Sequence, residues 1–304
     1  MSSMIHLLAV LLLLSNLAYA DGGWATDSTA RQKPDAVITI KEYLVCHDSI
    51  SSPYYGPEFQ NSLGWVRVEN KLPNSLPEAG WLFNKWNTGA VYSSFTGWNN
   101  AAPPYVDPWG RNWFEQTDED SWSAISARGD FWELCRIDPD TTGVMKSPRF
   151  ARFQLRKNGG QLSEFVAAEA TRPGVAAAWL YGDDCIIEYR FSDYNDSPTS
   201  APAIVDYHIL LNGRDQAESL DYDNGYSVNY LLDKPFFFLE RDGKRGYWYD
   251  GEAITTNYDM FFHDQCCSPA MWNPYFTKAG FELYAHRDSH WYLVVGTATI
   301  NGSE

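Results

Sequence analysis

The chain has 304 residues, with 23 lysines and arginines against 39 aspartates and glutamates, a net charge of −16. Such a surface repels nucleic acid and anionic membranes, so neither is expected as a partner, and it opposes polyanionic sugars at a range that high salt shortens. The 13 Trp, 19 Tyr and 16 Phe exceed what one core needs, and eight of the tryptophans fall between Trp65 and Trp132; exposed Trp and Tyr suit sugar stacking and protein interfaces alike.

The first segment reads as an export signal. An apolar run from Leu7 to Leu14 leads to the small-residue exit Ala18-Tyr19-Ala20, the form of a signal-peptide core and cleavage site, and too short to span a bilayer. Cleavage is expected before Asp21, leaving a secreted extracellular domain of residues 21–304 with no membrane insertion. The five cysteines, Cys46, Cys135, Cys185, Cys266 and Cys267, are then expected to form at least one disulfide, with an odd thiol left over. Their spacings match no zinc pattern. Asn195-Asp196-Ser197 and Asn301-Gly302-Ser303 are glycosylation sequons, for which a eukaryotic host is needed.

Strand-like runs follow in chain order at Ala36–Lys41, Gly64–Glu69, Arg149–Arg156, Cys185–Phe191, Ile204–Leu211, Tyr226–Leu232, Pro235–Arg241, Lys244–Asp250, Phe281–His286 and Trp291–Ile300. Turn dipeptides punctuate them: Asn158-Gly159, Asn212-Gly213, Asn224-Gly225, Asp242-Gly243 and Asp250-Gly251. Asp242-Gly243, between two apolar runs, is a hairpin signature. Ser163–Ala170 fits a short helix or a strand. Residues Asn84 to Asp120 mix Asn, Gly, Pro and Trp and read as long aromatic loops on the scaffold; Trp98 and Trp109 are the expected sugar-stacking rings. The expected fold is an all-β antiparallel sandwich of jelly-roll type.

Side-chain alternation picks out three strands with one apolar and one polar face. Phe150, Arg152, Gln154 and Arg156 share a face against Ala151, Phe153 and Leu155. Asp206 and His208 oppose Val205, Tyr207 and Ile209, and Glu282, Tyr284 and His286 oppose Phe281, Leu283 and Ala285. Any half-solvated strand shows such alternation, but Arg, His and Tyr together are also the groups of a polar site.

Arg152-Phe153-Gln154-Leu155-Arg156 resembles the R-x-E-L-R strand of alginate-lyase-like jelly-roll polysaccharide lyases, Asp206-Tyr207-His208 resembles their Q-I-H strand, and Tyr275-Phe276-Thr277-Lys278-Ala279-Gly280 resembles their Y-F-K-A-G segment. The three stand in the family's order. The departures are Gln154 for Glu, Asp206 for a Gln or Asn beside the substrate carboxylate, the extra Thr277, and Glu282 where a Tyr is expected, with Tyr284 two residues on. The resemblance implies β-elimination on a uronic-acid polymer without metal or organic cofactor. Arg152 would pair the substrate carboxylate, His208 would act as general base, and Tyr284 would protonate the leaving oxygen. Gln154, Arg156, Asp206 and Lys278 would bind substrate beside Trp98 and Trp109. The alternative is a non-catalytic, lectin-like carbohydrate-binding protein. His286 with His290, His263-Asp264, Asp118-Glu119-Asp120 and Asp183-Asp184 are weaker candidates, read as solvated turns and loops.

Overall fold

The computed structural model describes residues 36–47, 57–72, 110–138, 149–169, 174–190, 206–262 and 274–300, all within the compact unit Asp35–Glu304. Strands dominate, and every described pairing is antiparallel.

The first sheet is a meander of β3 (Glu115–Asp118), β4 (Ser121–Ile125), β5 (Phe131–Asp138), β6 (Arg149–Lys157) and β7 (Gly160–Glu169). The second orders β2 (Arg111–Trp113), β8 (Val175–Tyr181), β9 (Asp184–Arg190), β10 (Tyr207–Leu211) and β11 (Arg214–Asp215). The third is the meander β12 (Asn224–Leu231), β13 (Lys234–Arg241), β14 (Lys244–Tyr249) and β15 (Glu252–Thr255). In the fourth, β1 (Ala36–His47) pairs with β19 (His290–Ile300), β19 with β18 (Gly280–Arg287), and β18 with both β16 (Met260–Phe261) and β17 (Tyr275–Thr277).

The sheets pack face to face as a sandwich of more than two layers. Phe153, Leu155 and Phe165 of the first sheet share a core with Ile187, Tyr189 and Leu210 of the second. The opposite face of the second sheet, with Trp179, Ile186 and Ile209, meets Tyr230, Phe237 and Leu239 of the third. The third sheet's other face, with Phe236, Phe238 and Tyr247, meets Phe281, Leu283 and Val294 of the fourth. On the far side of the fourth, Trp291 and Leu293 pack on helix α1 (Pro57–Glu69) through Phe59, Leu63 and Val66. The all-β antiparallel sandwich is present; most hydrogen-bonded neighbours are also neighbours in sequence, with β1–β19 and β2–β8 the long-range pairs.

Two local readings are corrected. Gly64–Glu69 is helical, not extended: Pro57 suits a first helical turn, and Phe59, Leu63 and Val66 recur at helical spacing on the buried side while Trp65 and Val68 stay exposed. Asn224-Gly225 opens β12 instead of turning, because the Asn224 side chain accepts the Tyr207 N–H at 2.9 Å. Ser163–Ala168 is strand throughout, within β7. The hairpin at Asp242-Gly243 is present, with φ of 50° and 69° at the two turn residues, the left-handed pair that a tight two-residue turn requires.

Candidate functional site

The three residues expected to act together sit on three sheets. Arg152, on β6, points away from the core that Ala151 and Phe153 enter. It is half exposed and lies 3.4 Å from the Glu164 carboxylate of β7. His208, on β10, shares the face of Leu210, which points at the first sheet from the other side of that core. Tyr284, on β18, lies behind the third sheet, edge-on to Phe59 of α1 at 5.0 Å. Sheet layers stand about 10 Å apart, so the intervening strands separate these groups, and the fold does not gather them around one sugar ring.

Each has local partners instead. His208 Nδ1 lies 3.2 Å from Asp215 Oδ2, which also accepts the Tyr189 hydroxyl at 2.6 Å, while Asp215 Oδ1 accepts the Ala217 N–H at 2.8 Å and caps helix α2 (Gln216–Leu220). Burial pushes the Asp215 carboxyl up, but the bonds from His208, Tyr189 and Ala217 outweigh it and hold the group below its ordinary range. Burial, reinforced by Asp215, raises the Tyr189 hydroxyl, which is therefore a neutral donor. Asp206 is raised, first by burial and further by Asp223, against the opposing pull of His208. Burial pushes Tyr284 up to about 12, and its strand neighbour Glu282 pairs with Arg67 of α1. Lys278 is exposed in the β17–β18 turn, where its carbonyl accepts the Leu232 N–H at 2.9 Å.

Gln154 and Arg156 do lie with Arg152, on the outer face of the first sheet. Arg156 Nε donates to Gln154 Oε1 at 2.5 Å, and Arg156 Nη1 lies 3.5 Å from Glu133 Oε2 of β5. Glu133 stands opposite Arg156 and Glu164 opposite Gln154, so the face is a cross-strand row of guanidinium, amide and carboxylate groups. Apolar side chains edge it: Phe150 and Val166 at one end are 44% and 46% exposed, and Ile125 and Phe131 at the other are 60% and 42% exposed. Cys135, opposite Gln154, is half-buried on the same face.

Asp215, Glu133 and Glu164 were not among the sequence candidates. Folding the Asn212-Gly213 hairpin across itself sets Asp215 opposite Leu210, a pairing the turn dipeptide alone could have indicated. Glu133 lies on β5, whose run Phe131–Asp138 carries no turn dipeptide that marks it as a strand in the sequence.

The aromatic-loop reading is corrected where it is described. Residues 111–113 and 115–118 are strands, and Trp113, Trp122 and Trp132 are all buried. Trp113 packs on Trp179 at 6.1 Å, under the Arg111 guanidinium. Trp98 and Trp109, the signal segment, both sequons, His263-Asp264, Cys266 and Cys267 lie outside the described residues.

No disulfide forms among the described residues: Cys135 faces outward from the first sheet while Cys185 is buried in the core beneath it. No group of three His, Cys, Asp or Glu that could hold a metal ion occurs among the described residues, and none of their helices is long and apolar enough to cross a membrane. His286 and His290 flank the β18–β19 turn and contact Asp259 and the Asp288 carbonyl respectively. Comparisons with protein-family models, with curated proteins and with solved structures find no match.

Proposed function

We propose that this chain is an exported, non-catalytic carbohydrate-binding β protein that takes its glycan on the outer face of the first sheet. The observation that carries the reading is the juxtaposition there of Arg152 and Arg156, the latter held by the buried Gln154, with exposed Phe150. Planar donors and acceptors beside an apolar ring are what a sugar requires: hydrogen bonds for its hydroxyls and an apolar surface for its C–H face. The Arg–Glu pairs are solvent-exposed, and such pairs contribute about 0–1 kcal/mol each, so a ligand exchanges them at little cost. Secretion, suggested by the apolar leader, would place this face in contact with extracellular glycans.

Elimination chemistry draws no support from the separation of Arg152, His208 and Tyr284. The test is a glycan-binding panel on the secreted protein, with each incubation also read for the ultraviolet absorbance of unsaturated uronates. Binding that Phe150→Ala and Arg156→Ala each weaken about tenfold or more, without absorbance, is the expected result. Unsaturated product from any polymer would replace this reading with the lyase.

A further inference from the structure

Resting on that reading, we infer that the glycan is neutral and hydroxyl-rich, not a uronate, because the two arginines of the face are each matched by a carboxylate and Glu115 of β3 stands on the same side. Arg152 is matched by Glu164 at 3.4 Å and Arg156 by Glu133 at 3.5 Å. Gln154, between the two arginines on β6, is already held by Arg156.

The donor and acceptor inventory decides between ligand classes. A guanidinium only donates, an ionised carboxylate only accepts, and an amide does both. A sugar hydroxyl both donates and accepts. It can therefore bridge an Arg–Glu pair, receiving from the guanidinium and giving to the carboxylate, with neither charge stranded. A uronate adds to its hydroxyls a carboxylate that can only accept. To bind Arg152 or Arg156 that carboxylate must come close to Glu164 or Glu133, so two like charges face each other a few ångströms apart. Like charges that close repel even in bulk water, and several times more strongly at a partly desolvated surface. The chain's −16 charge adds to this at longer range. Apolar edges at both ends, Phe150 with Val166 and Phe131 with Ile125, give a sugar surface to cover without asking for charge. Strand spacing of about 4.8 Å across the sheet and about 6.8 Å between alternate residues along a strand places the row on the scale of successive sugar rings.

The discriminating variant is the double substitution Glu133→Gln with Glu164→Gln, at two exposed or half-exposed positions. It leaves Arg152 and Arg156 uncompensated. Titration calorimetry with neutral glucan oligosaccharides and with oligo-alginate, at low and at near-physiological salt, gives the readout. Cys135 alkylation, followed on its own peptide, reports occupancy of this face. For wild type, the expected result is salt-insensitive binding of the neutral probe with protection of Cys135, and binding of oligo-alginate at least tenfold weaker. For the double variant, oligo-alginate affinity should rise at least tenfold, and that gain should fade with salt. Wild-type preference for oligo-alginate, lost as salt rises, would overturn the neutral-ligand inference while leaving glycan binding at this face standing. So would a double variant with unaltered selectivity. Failure of both probes, with Cys135 alkylated at the same rate throughout, would overturn the glycan reading itself.

Discussion

Arg67, in the last turn of α1, donates from Nη2 to Glu282 Oε2 of β18 at 2.6 Å, and the two side chains are only 12% and 11% exposed. The pair fastens the helix to the outer side of the fourth sheet, beside Tyr284. A helix C-terminus favours a cation, but the larger consequence is that neither charge can be removed alone. Glu282→Gln should destabilise the protein by about 3 kcal/mol, because it removes the carboxylate that neutralises a largely enclosed guanidinium, whereas Arg67→Met with Glu282→Leu should come much closer to wild type. Urea titration of the two variants and wild type measures this. A single variant as stable as wild type would show that the pair is solvated in solution.

The layered arrangement leaves a trace in the sequence that the site does not. Phe236-Phe237-Phe238-Leu239 is a continuous apolar run, and all four residues are buried because both faces of the third sheet are covered. Cys185-Ile186-Ile187 says the same of the second sheet. Residues 150–156, by contrast, alternate, because the first sheet is covered on one side only. Strands and hairpins were thus readable from local chemistry. Which polar faces meet is not a local property. Arg152, His208 and Tyr284 each lie on the less apolar side of a strand, yet the sheets stack so that those sides point toward different neighbours. The helix at Pro57–Glu69 was missed for a related reason: Trp65-Val66-Arg67-Val68 alternates like a strand, and the overriding period becomes visible only with Phe59 and Leu63 included.

Acid should weaken the protein through Asp215. Its carboxyl titrates lower in the folded protein than in the unfolded chain, where the ordinary value is 3.8. A group depressed in this way stabilises the fold above the unfolded pKa and loses that contribution as pH falls through the folded one. The loss therefore begins below about pH 5 and deepens through pH 3. Asp215→Asn should lower stability at neutral pH, where the charged contacts to Tyr189 and His208 are at full strength, and should flatten the acid limb. Denaturant midpoints taken across this range compare the two proteins. An equally steep acid limb in both would assign the acid sensitivity to other carboxylates.

Gly280 has a steric reason to be glycine. A Cβ there would run into the Gly296 carbonyl oxygen of β19, a backbone atom held in the β18–β19 ladder. Gly280→Ala should force the strands apart at the start of β18 and cost about 1–3 kcal/mol, the range for overpacking a well-filled site. Gly243→Ala offers a contrast, since open space surrounds its Cβ position and the strain there comes from φ of 69°. Thermal melts decide between the two sources: a Gly280→Ala protein melting at the wild-type temperature would mean that the strands separate freely at this point.

His208 is largely enclosed by its own neighbours. Its side chain is 13% exposed, Nδ1 faces Asp215, and the ring meets Tyr189 and Tyr222 edge-on at centroid distances of 5.6 and 6.2 Å. The outer face of the first sheet, where Arg152 and Arg156 lie, is on the far side of the Phe153–Leu155 core. His208→Ala should therefore leave glycan affinity within about twofold of wild type while destabilising the fold. Two effects add: Asp215 loses a charge-assisted partner in a partly buried setting, which costs about 1–3 kcal/mol, and the missing ring leaves space beside Tyr189 and Tyr222. His208→Gln, which can still donate to Asp215, should recover part of the stability without changing affinity. Calorimetric binding and thermal melts on the same preparations separate the two effects. If His208→Ala instead folds as stably as wild type and abolishes binding or turnover of a glycan, the imidazole belongs to the functional site, and the outer sheet face does not account for recognition.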